Sequence, residues 1–153
     1  MIPEYIEIPN APWRVLPAGM HQTSLEEVKS RFAINNHRRK LFIGLISACK
    51  SLKYSGVDLL YLDGSFVTEK PVPSDYDACW DTSNVDRELL NPVFLDFSNK
   101  RENQKREFGG EFFPYAGKFD FVDFFQTEKH SGERKGILLI KLQEENLNIF
   151  EER

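Results

Sequence analysis

The stretch LDGSFVTEKPVPSDYD constrains the fold more than any other part of the chain. An apolar run ends at Gly64 and Ser65, nine residues follow, and Asp75 and Asp77 then lie one residue apart. Alternate residues of a β-strand face the same way, about 6.5–7 Å apart along the strand. Both carboxylates are therefore expected on one face, with Tyr76 on the other. The pattern predicts a strand–turn–strand unit that carries two acids.

This arrangement suits the binding of a metal ion and a phosphate group. Two carboxylates held this close repel each other, and a divalent cation relieves the repulsion. Gly64 lets the backbone approach a phosphate, and Ser65 offers an N–H and a hydroxyl at a turn that we expect to open a helix. The alternative is purely structural, because Gly-Ser and Asp-x-Asp also occur in ordinary turns. We favour a site for a metal ion and a nucleoside triphosphate.

Gly-Ser followed at this distance by Asp-x-Asp resembles the nucleotidyltransferase fold superfamily typified by DNA polymerase beta. It is most similar to the minimal, single-domain prokaryotic members, many of which belong to toxin–antitoxin pairs. The strings GSFVTEKPVPSDYDACWD, LDFSNKR and VDFFQ also resemble an uncharacterised bacterial family within that superfamily. The resemblance implies an α/β (α+β) fold, in which a small mixed β-sheet has helices packed on it.

The resemblance also implies three catalytic acids that hold Mg²⁺ or Mn²⁺. Asp75 and Asp77 match two of them, and the third is expected on a neighbouring strand. The segment 119–125 reads as a strand and offers Asp120 and Asp123, which would face opposite sides of it. Only one of them can join the pair. The VDFFQ string resembles the uncharacterised family, so we favour Asp123 over Asp120.

Nucleotide binding is assigned by the same resemblance to the turn and to the loop that follows it. Gly64 and Ser65 are expected to contact the triphosphate, and Lys70 to neutralise its charge. Other basic residues are further candidates for holding pyrophosphate or the acceptor, or are simply solvated: Lys100, Arg101, Lys105, Arg106, Lys129, Arg134 and Lys135. The run Arg38-Arg39-Lys40 is interpreted as a basic helix start at the surface, with an RNA or partner patch as the alternative.

The expected activity is Mg²⁺-dependent transfer of NMP from an NTP, such as ATP, to a hydroxyl group. The resemblance to toxin–antitoxin members favours RNA, above all a tRNA 3′ end, or a cognate partner protein as the acceptor. A homo- or hetero-oligomer is compatible with such a role. The alternative is a catalytically silent nucleotidyltransferase fold that acts as an antitoxin or interaction module.

Composition limits the class of protein. A net charge of −4 and a pI near 5.5 argue against a broadly basic nucleic-acid-binding surface. The 153 residues include 13 phenylalanines, which indicates one packed domain. Cys49 and Cys79 stand apart without a Cys/His cluster, so buried free thiols are expected rather than zinc. No apolar run approaches the roughly 18 residues of a membrane span. We expect a soluble cytoplasmic protein that does not enter the membrane.

The chain divides into an extended Pro-rich N-terminal arm, 1–23, and a single nucleotidyltransferase-like domain, 24–153. Four of the eight prolines lie in the arm, which disfavours a helix there. Trp13, Val15 and Leu16 are expected to anchor the arm, onto the core rather than onto a partner.

The remaining elements follow from capping and periodicity. Ser24 and Glu27 form a capping box for a first helix, which is expected to break near 34–36 and to be followed by a second helix ending at Gly56. Ser98 is expected to cap a helix over 99–108. We also expect a short helix at 84–90, a strand or helix start at 137–142, a partly helical tail, and strands at 57–63, 76–80, 111–115 and 119–125.

Overall fold

A five-stranded mixed sheet forms the centre of the protein in the computed structural model, which describes residues 1–116, 126–128 and 130–150. The strands are β1 (Gly19–Gln22), β2 (Leu59–Asp63), β3 (Tyr76–Asp81), β4 (Gly110–Tyr115) and β5 (Gly136–Lys141), in the order β1-β5-β2-β3-β4. Strand β2 is antiparallel to β3 and β5, whereas β1–β5 and β3–β4 are parallel pairs. The helices are α1 (Leu25–Phe32), α2 (Asn36–Tyr54) and α3 (Ser98–Phe108). The predicted mixed α/β class is confirmed.

The first two helices lie where the sequence predicts them, but the Glu27 carboxylate of the predicted capping box accepts from the Ile2 N–H at 3.2 Å, and the cap at Asn35 was not predicted. The Ser24 hydroxyl accepts a hydrogen bond from the Glu27 N–H at 3.2 Å and caps α1. Asn35 caps α2 in the same way, its side-chain oxygen accepting from the Arg38 N–H at 2.8 Å. Gly56 follows α2 with φ +99°, a left-handed conformation that glycine adopts without strain.

The two faces of the sheet have different neighbours. Residues such as Leu62, Ala78 and Leu138 belong to the main core, together with the buried residues of α1 and α2. A smaller cluster of Tyr61, Cys79, Tyr115 and Ile137 covers the opposite face. Because side chains alternate along a strand, the acids that follow Leu62 and precede Ala78 lie on this second face, away from the helices.

Two predicted helical features are wrong. Residues 84–90 form turns instead of a helix, because the Asp86 N–H donates to the Ser55 carbonyl at 2.7 Å and ties the segment to the end of α2. Ser98 does not cap α3, because its hydroxyl donates to Asp96 at 2.6 Å. Residues 99–101, in the first turn of α3, have φ between 50° and 61°, in the left-handed region.

The arm joins the sheet, which the sequence did not predict. Strand β1 lies within residues 1–23 and pairs with β5 at the edge of the sheet. Val15 and Leu16 are buried as expected, whereas Trp13 is only half-buried. Cys49 and Cys79 are buried free thiols, as predicted.

The C-terminal part of the described chain forms a strand and two short turns. The segment predicted as a strand or a helix start at 137–142 is strand β5, and single 3₁₀ turns follow at Leu142–Glu144 and Leu147–Phe150. The strand predicted at 119–125 lies outside the described residues. Within the described part of the chain, no helix is long and apolar enough to cross a membrane.

Candidate functional site

A row of three carboxylates crosses the sheet where β2 ends and β3 and β4 begin. Asp63 on β2 is directly opposite Asp77 on β3, and Asp77 is paired in turn with Glu111 on β4. Paired residues on neighbouring strands lie on the same face. Asp75 immediately precedes β3 and lines the same cavity as Asp77. The side-by-side placement predicted for Asp75 and Asp77 therefore gains two further acids from the neighbouring strands.

Asp77, in the middle of this row, has a strongly raised pKa. Burial raises the pKa of its carboxyl to about 7, and the nearby carboxylates of Asp63, Asp75 and Glu111 add to the rise, with Lys135 opposing it. Burial removes water that would stabilise the charged carboxylate, and the three neighbouring carboxylates repel it. Ionisation of Asp77 is therefore unfavourable in this position, and a bound cation would stabilise its charged form.

Lys135 supplies one positive charge to this row of carboxylates. Its ammonium donates a hydrogen bond to Asp63 Oδ1 at 2.6 Å, and both side chains are buried. Burial raises the pKa of Asp63, and the neighbouring Lys135 opposes that rise. Lys135 is held by the segment before β5, where its N–H donates to the Gln126 carbonyl at 2.6 Å. The ion pair fixes one end of the carboxylate row.

Gly64 brings the turn against Asp77. Its φ is +90°, and a Cβ on it would lie 3.1 Å from both the backbone nitrogen and Oδ2 of Asp77. Ser65 then begins a single 3₁₀ turn, Ser65–Val67. The expected helix after Ser65 is thus one short turn, so the backbone around Gly64, and not a helix N-terminus, faces the acids.

We predict that Gly64→Ala disturbs the site more than its backbone angle alone would require. The new methyl group would press on Asp77, so we expect roughly 1–3 kcal/mol lower unfolding free energy together with weaker ligand binding. Gly132→Ala is the matched control, because Gly132 also has a positive φ of +72° but nothing lies within 4 Å of its Cβ position. Chemical denaturation of both variants measures the difference. Equal losses would show that Gly64 is needed only for its backbone angle.

The loop after Gly64 is held by Arg38, a role that the sequence did not reveal. Arg38 is only 2% exposed, and its guanidinium donates to the carbonyls of Phe66 (2.6 Å), Thr68 (2.8 Å) and Lys70 (2.5 Å), and to that of Phe32. The interpretation of Arg38 as a surface residue is wrong. A buried guanidinium with its donors satisfied by four carbonyls fixes the loop rigidly to the start of α2.

The same helix start also holds the prolines of the loop. Asn35 donates from its side chain to the Pro71 carbonyl at 3.0 Å, and the His37 ring nitrogen contacts the Pro73 carbonyl. The loop between the turn and the two aspartates is therefore positioned at both ends. A rigid loop keeps Asp75 and Lys70 on the same side of the sheet.

These elements surround a cavity of about 440 Å³. This volume is within the range of about 300–1,000 Å³ usual for small-molecule sites. Residues from the arm, the turn and loop, the two strands and the segment before β5 line it: Trp13, Val15, Asp63, Gly64, Ser65, Thr68, Lys70, Ser74, Asp75, Asp77, Thr127, Glu128, His130 and Lys135.

The structure brings most of the predicted site residues together. Gly64, Ser65, Lys70, Asp75 and Asp77 all line the cavity. Asp120 and Asp123, the candidates for the third acid, lie outside the described residues, as does Lys129.

The other basic candidates differ in position. Lys135 lines the cavity, whereas the α3 cations do not. Lys105 pairs with Glu111 at 3.4 Å and Arg106 with Glu102 at 2.8 Å. Arg134 donates to the Gln126 side chain at 3.2 Å. Ion pairing of the α3 residues at the surface matches the alternative reading of solvated residues.

Three residues at the site were not predicted as site residues from the sequence. Asp63 is two residues after Tyr61 on the same strand, so both face the same side of the sheet, and it directly precedes Gly64. Alternation along the strand could therefore have placed it beside the turn. Glu111 and Trp13 carried no such signal, because only the pairing of β3 with β4 and the course of the arm bring them to the site.

Asp75 and Asp77 are the residues that could hold a divalent cation. Carboxylate oxygens suit Mg²⁺ and Mn²⁺. Among the described residues, no group of three or more His, Cys, Asp or Glu side chains is arranged to hold one metal ion. Asp63 and Glu111 lie on the strands on either side of Asp77 and are two strand spacings apart, about 10 Å.

Together, the fold and the cavity define a mixed α/β protein with an acidic cavity at the end of its sheet where β2 ends and β3 begins. Residues 10–141 match the model of a family of unknown function (DUF6932), and the chain belongs to that family. Comparison with curated proteins and with solved structures found no match.

Proposed function

We propose that this protein is a Mg²⁺-dependent nucleotidyltransferase that transfers NMP from an NTP to a hydroxyl group. The observation that carries the proposal is the close approach of the turn at Gly64 to Asp77, where a Cβ would lie only 3.1 Å from Asp77 Oδ2, beside Asp75 and in one cavity with Lys70. A close-approach glycine next to paired carboxylates and a lysine suits a ligand with both metal and phosphate.

The donor set fits the metal that such chemistry uses. Asp75 and Asp77 would hold Mg²⁺, and the pKa of Asp77, raised to about 7 by burial and neighbouring acids, marks the negative charge that the cation would relieve. When bound, Mg²⁺ would polarise the α-phosphate and stabilise the charge that develops during transfer. Asp123 is the expected third ligand.

The chain's own residues would orient the reactants. Gly64 and Ser65 would contact the triphosphate, and Lys70 would neutralise it. The oxygen of the acceptor hydroxyl would form a bond to the α-phosphorus. The bond between the α-phosphorus and the oxygen that bridges it to the β-phosphorus would break, and pyrophosphate would leave. The hydroxyl proton passes to water. Positioning and electrostatics account for most of the catalysis in reactions of this type.

The preferred acceptors are RNA, in particular a tRNA 3′ end, and a partner protein, and the setting is a cytoplasmic toxin–antitoxin or defence system. A catalytically silent interaction module is the second candidate. The buried ion pair of Lys135 with Asp63 supports it, because this internal cation offsets part of the acidic charge without a metal.

The activity is tested by incubating the protein with each α-labelled NTP, Mg²⁺ and either bulk tRNA or the product of a neighbouring gene. We expect covalent transfer of label to one acceptor and release of pyrophosphate, both abolished by EDTA. Failure with every NTP and both acceptor classes, in a protein that binds a partner tightly, would support the silent module instead.

A further inference from the structure

Trp13 lines the cavity, and its indole ring belongs to neither of the two hydrophobic clusters described above. The side chain is half-buried, and the Lys70 ammonium lies 5.3 Å from the centre of its ring. No other aromatic ring of the described chain stacks on it. Trp80, the second tryptophan, is 1% exposed and packs edge-on against Phe94. Of the two tryptophans, Trp13 lines the cavity and Trp80 does not.

The arm that carries Trp13 is fixed to the loop of the site. The Arg14 guanidinium donates two hydrogen bonds to the Glu69 carboxylate, at 2.8 and 2.5 Å. The Glu69 N–H donates to the Arg14 carbonyl at 3.0 Å, and the Tyr5 hydroxyl donates to the Thr68 carbonyl at 3.0 Å. The backbone beside Trp13 is thus held in place before any ligand arrives, which lowers the entropic cost of stacking against the indole.

We propose that Trp13 is the stacking surface for the base of a purine nucleoside triphosphate whose phosphates lie toward Gly64 and Ser65. The inference rests on the proposed function and names the nucleotide that the site takes. Lys70 now covers the indole ring, and on binding it moves to the phosphates, leaving the ring face to the base.

The preference for purines follows from the nature of the contact. Every base can stack on an aromatic ring, so stacking does not distinguish adenine from guanine by their edges. A purine covers more of the indole than a pyrimidine does, because it has two fused rings. ATP and GTP should therefore bind with similar affinity, and UTP and CTP more weakly.

Tryptophan fluorescence tests the contact directly, because the chain has two tryptophans. In Trp80→Phe, Trp13 is the sole emitter, and excitation at the red edge of indole absorption avoids the nucleotides. With Mg²⁺ present, ATP and GTP should quench the emission, and inorganic tripolyphosphate should quench it much less. Trp13→Phe retains buried Trp80 and should show little quenching, which keeps the test valid if Trp80→Phe does not fold.

Calorimetry with the Trp13 variants measures the contribution to affinity. Trp13→Ala should weaken ATP binding about 10- to 100-fold, in line with the usual cost of losing a base–aromatic stack. Trp13→Phe should remain within about threefold of the wild type, and tripolyphosphate should bind both variants as it binds the wild type.

The outcomes separate this inference from the function on which it rests. If ATP binds Trp13→Ala as tightly as it binds the wild type, the stacking assignment is wrong, and if UTP binds as tightly as ATP, the purine preference is wrong; in both cases the nucleotidyltransferase proposal stands. If neither nucleotides nor tripolyphosphate bind the wild type, both fail.

Discussion

Replacing Asp75 by Asn is expected to lower the rate of nucleotidyl transfer by at least about 10³-fold while leaving the fold intact. The substitution keeps the size of the side chain and removes one negative charge from the pair that would hold Mg²⁺. Losing a charged group that acts on the transition state has effects of this size. The rate is measured with α-labelled NTP and the acceptor identified for the wild type.

Asp81→Asn is the matched control for this variant. Asp81 is the last residue of β3, at the opposite end of the strand from Asp75, and its carboxylate accepts from the Ser83 N–H at 2.9 Å, a contact that Asn can keep. We expect near-normal transfer by Asp81→Asn and cooperative unfolding of both variants, with neither less stable than the wild type. If Asp75→Asn transfers within tenfold of the wild-type rate, Asp75 does not belong to the reacting centre.

The parts of the fold that the sequence predicted are those with local signals. The predicted cap at Ser24 acts on a backbone N–H group three residues away, so its effect is contained in a few letters of sequence. Alternation along a strand is also a local signal, and it predicted that Asp75 and Asp77 lie together. The turn at Gly64 was recognisable because only glycine adopts its φ of +90° without strain.

The parts that the sequence missed depend on distant contacts. β1 is a four-residue strand that pairs with β5, more than a hundred residues later in the chain, and no periodicity marks it. The sequence of residues 84–90 resembles that of a helix, but the Asp86 N–H donates a hydrogen bond to the Ser55 carbonyl and the segment forms turns. Arg38 has the composition of a surface cation, and only the packing of the loop onto α2 makes it a buried donor.

The site shows the same division. The resemblance to nucleotidyltransferases selected the turn and the Asp-x-Asp pair, which lie next to each other in the chain. The strand register added Asp63 and Glu111, and the course of the arm added Trp13. These are long-range features of the sheet, and a single sequence contains no direct signal of which strands are neighbours.

Asp77→Asn is expected to stabilise the metal-free protein at pH 8, although it should abolish activity. The pKa of Asp77 is about 7 in the folded protein and near 3.8 when unfolded. Between these values the folded state keeps a proton that the unfolded state has released, so stability falls as pH rises through this window. The fall ends slightly above pH 7. It is absent from Asp77→Asn, which cannot ionise there.

The size of the gain follows from the two pKa values. They differ by about 3, and each tenfold difference is about 1.4 kcal/mol, so we expect on the order of 2–4 kcal/mol at pH 8 and almost none at pH 4. The measurement is chemical denaturation in EDTA at both values of pH, with Asp81→Asn as the control. Adding Mg²⁺ at pH 8 should stabilise the wild type more than Asp77→Asn, because the cation relieves the repulsion that the substitution removes. A variant less stable than the wild type at pH 8 in EDTA would show that Asp77 is not under electrostatic stress, and would remove the charge argument for a cation at this position.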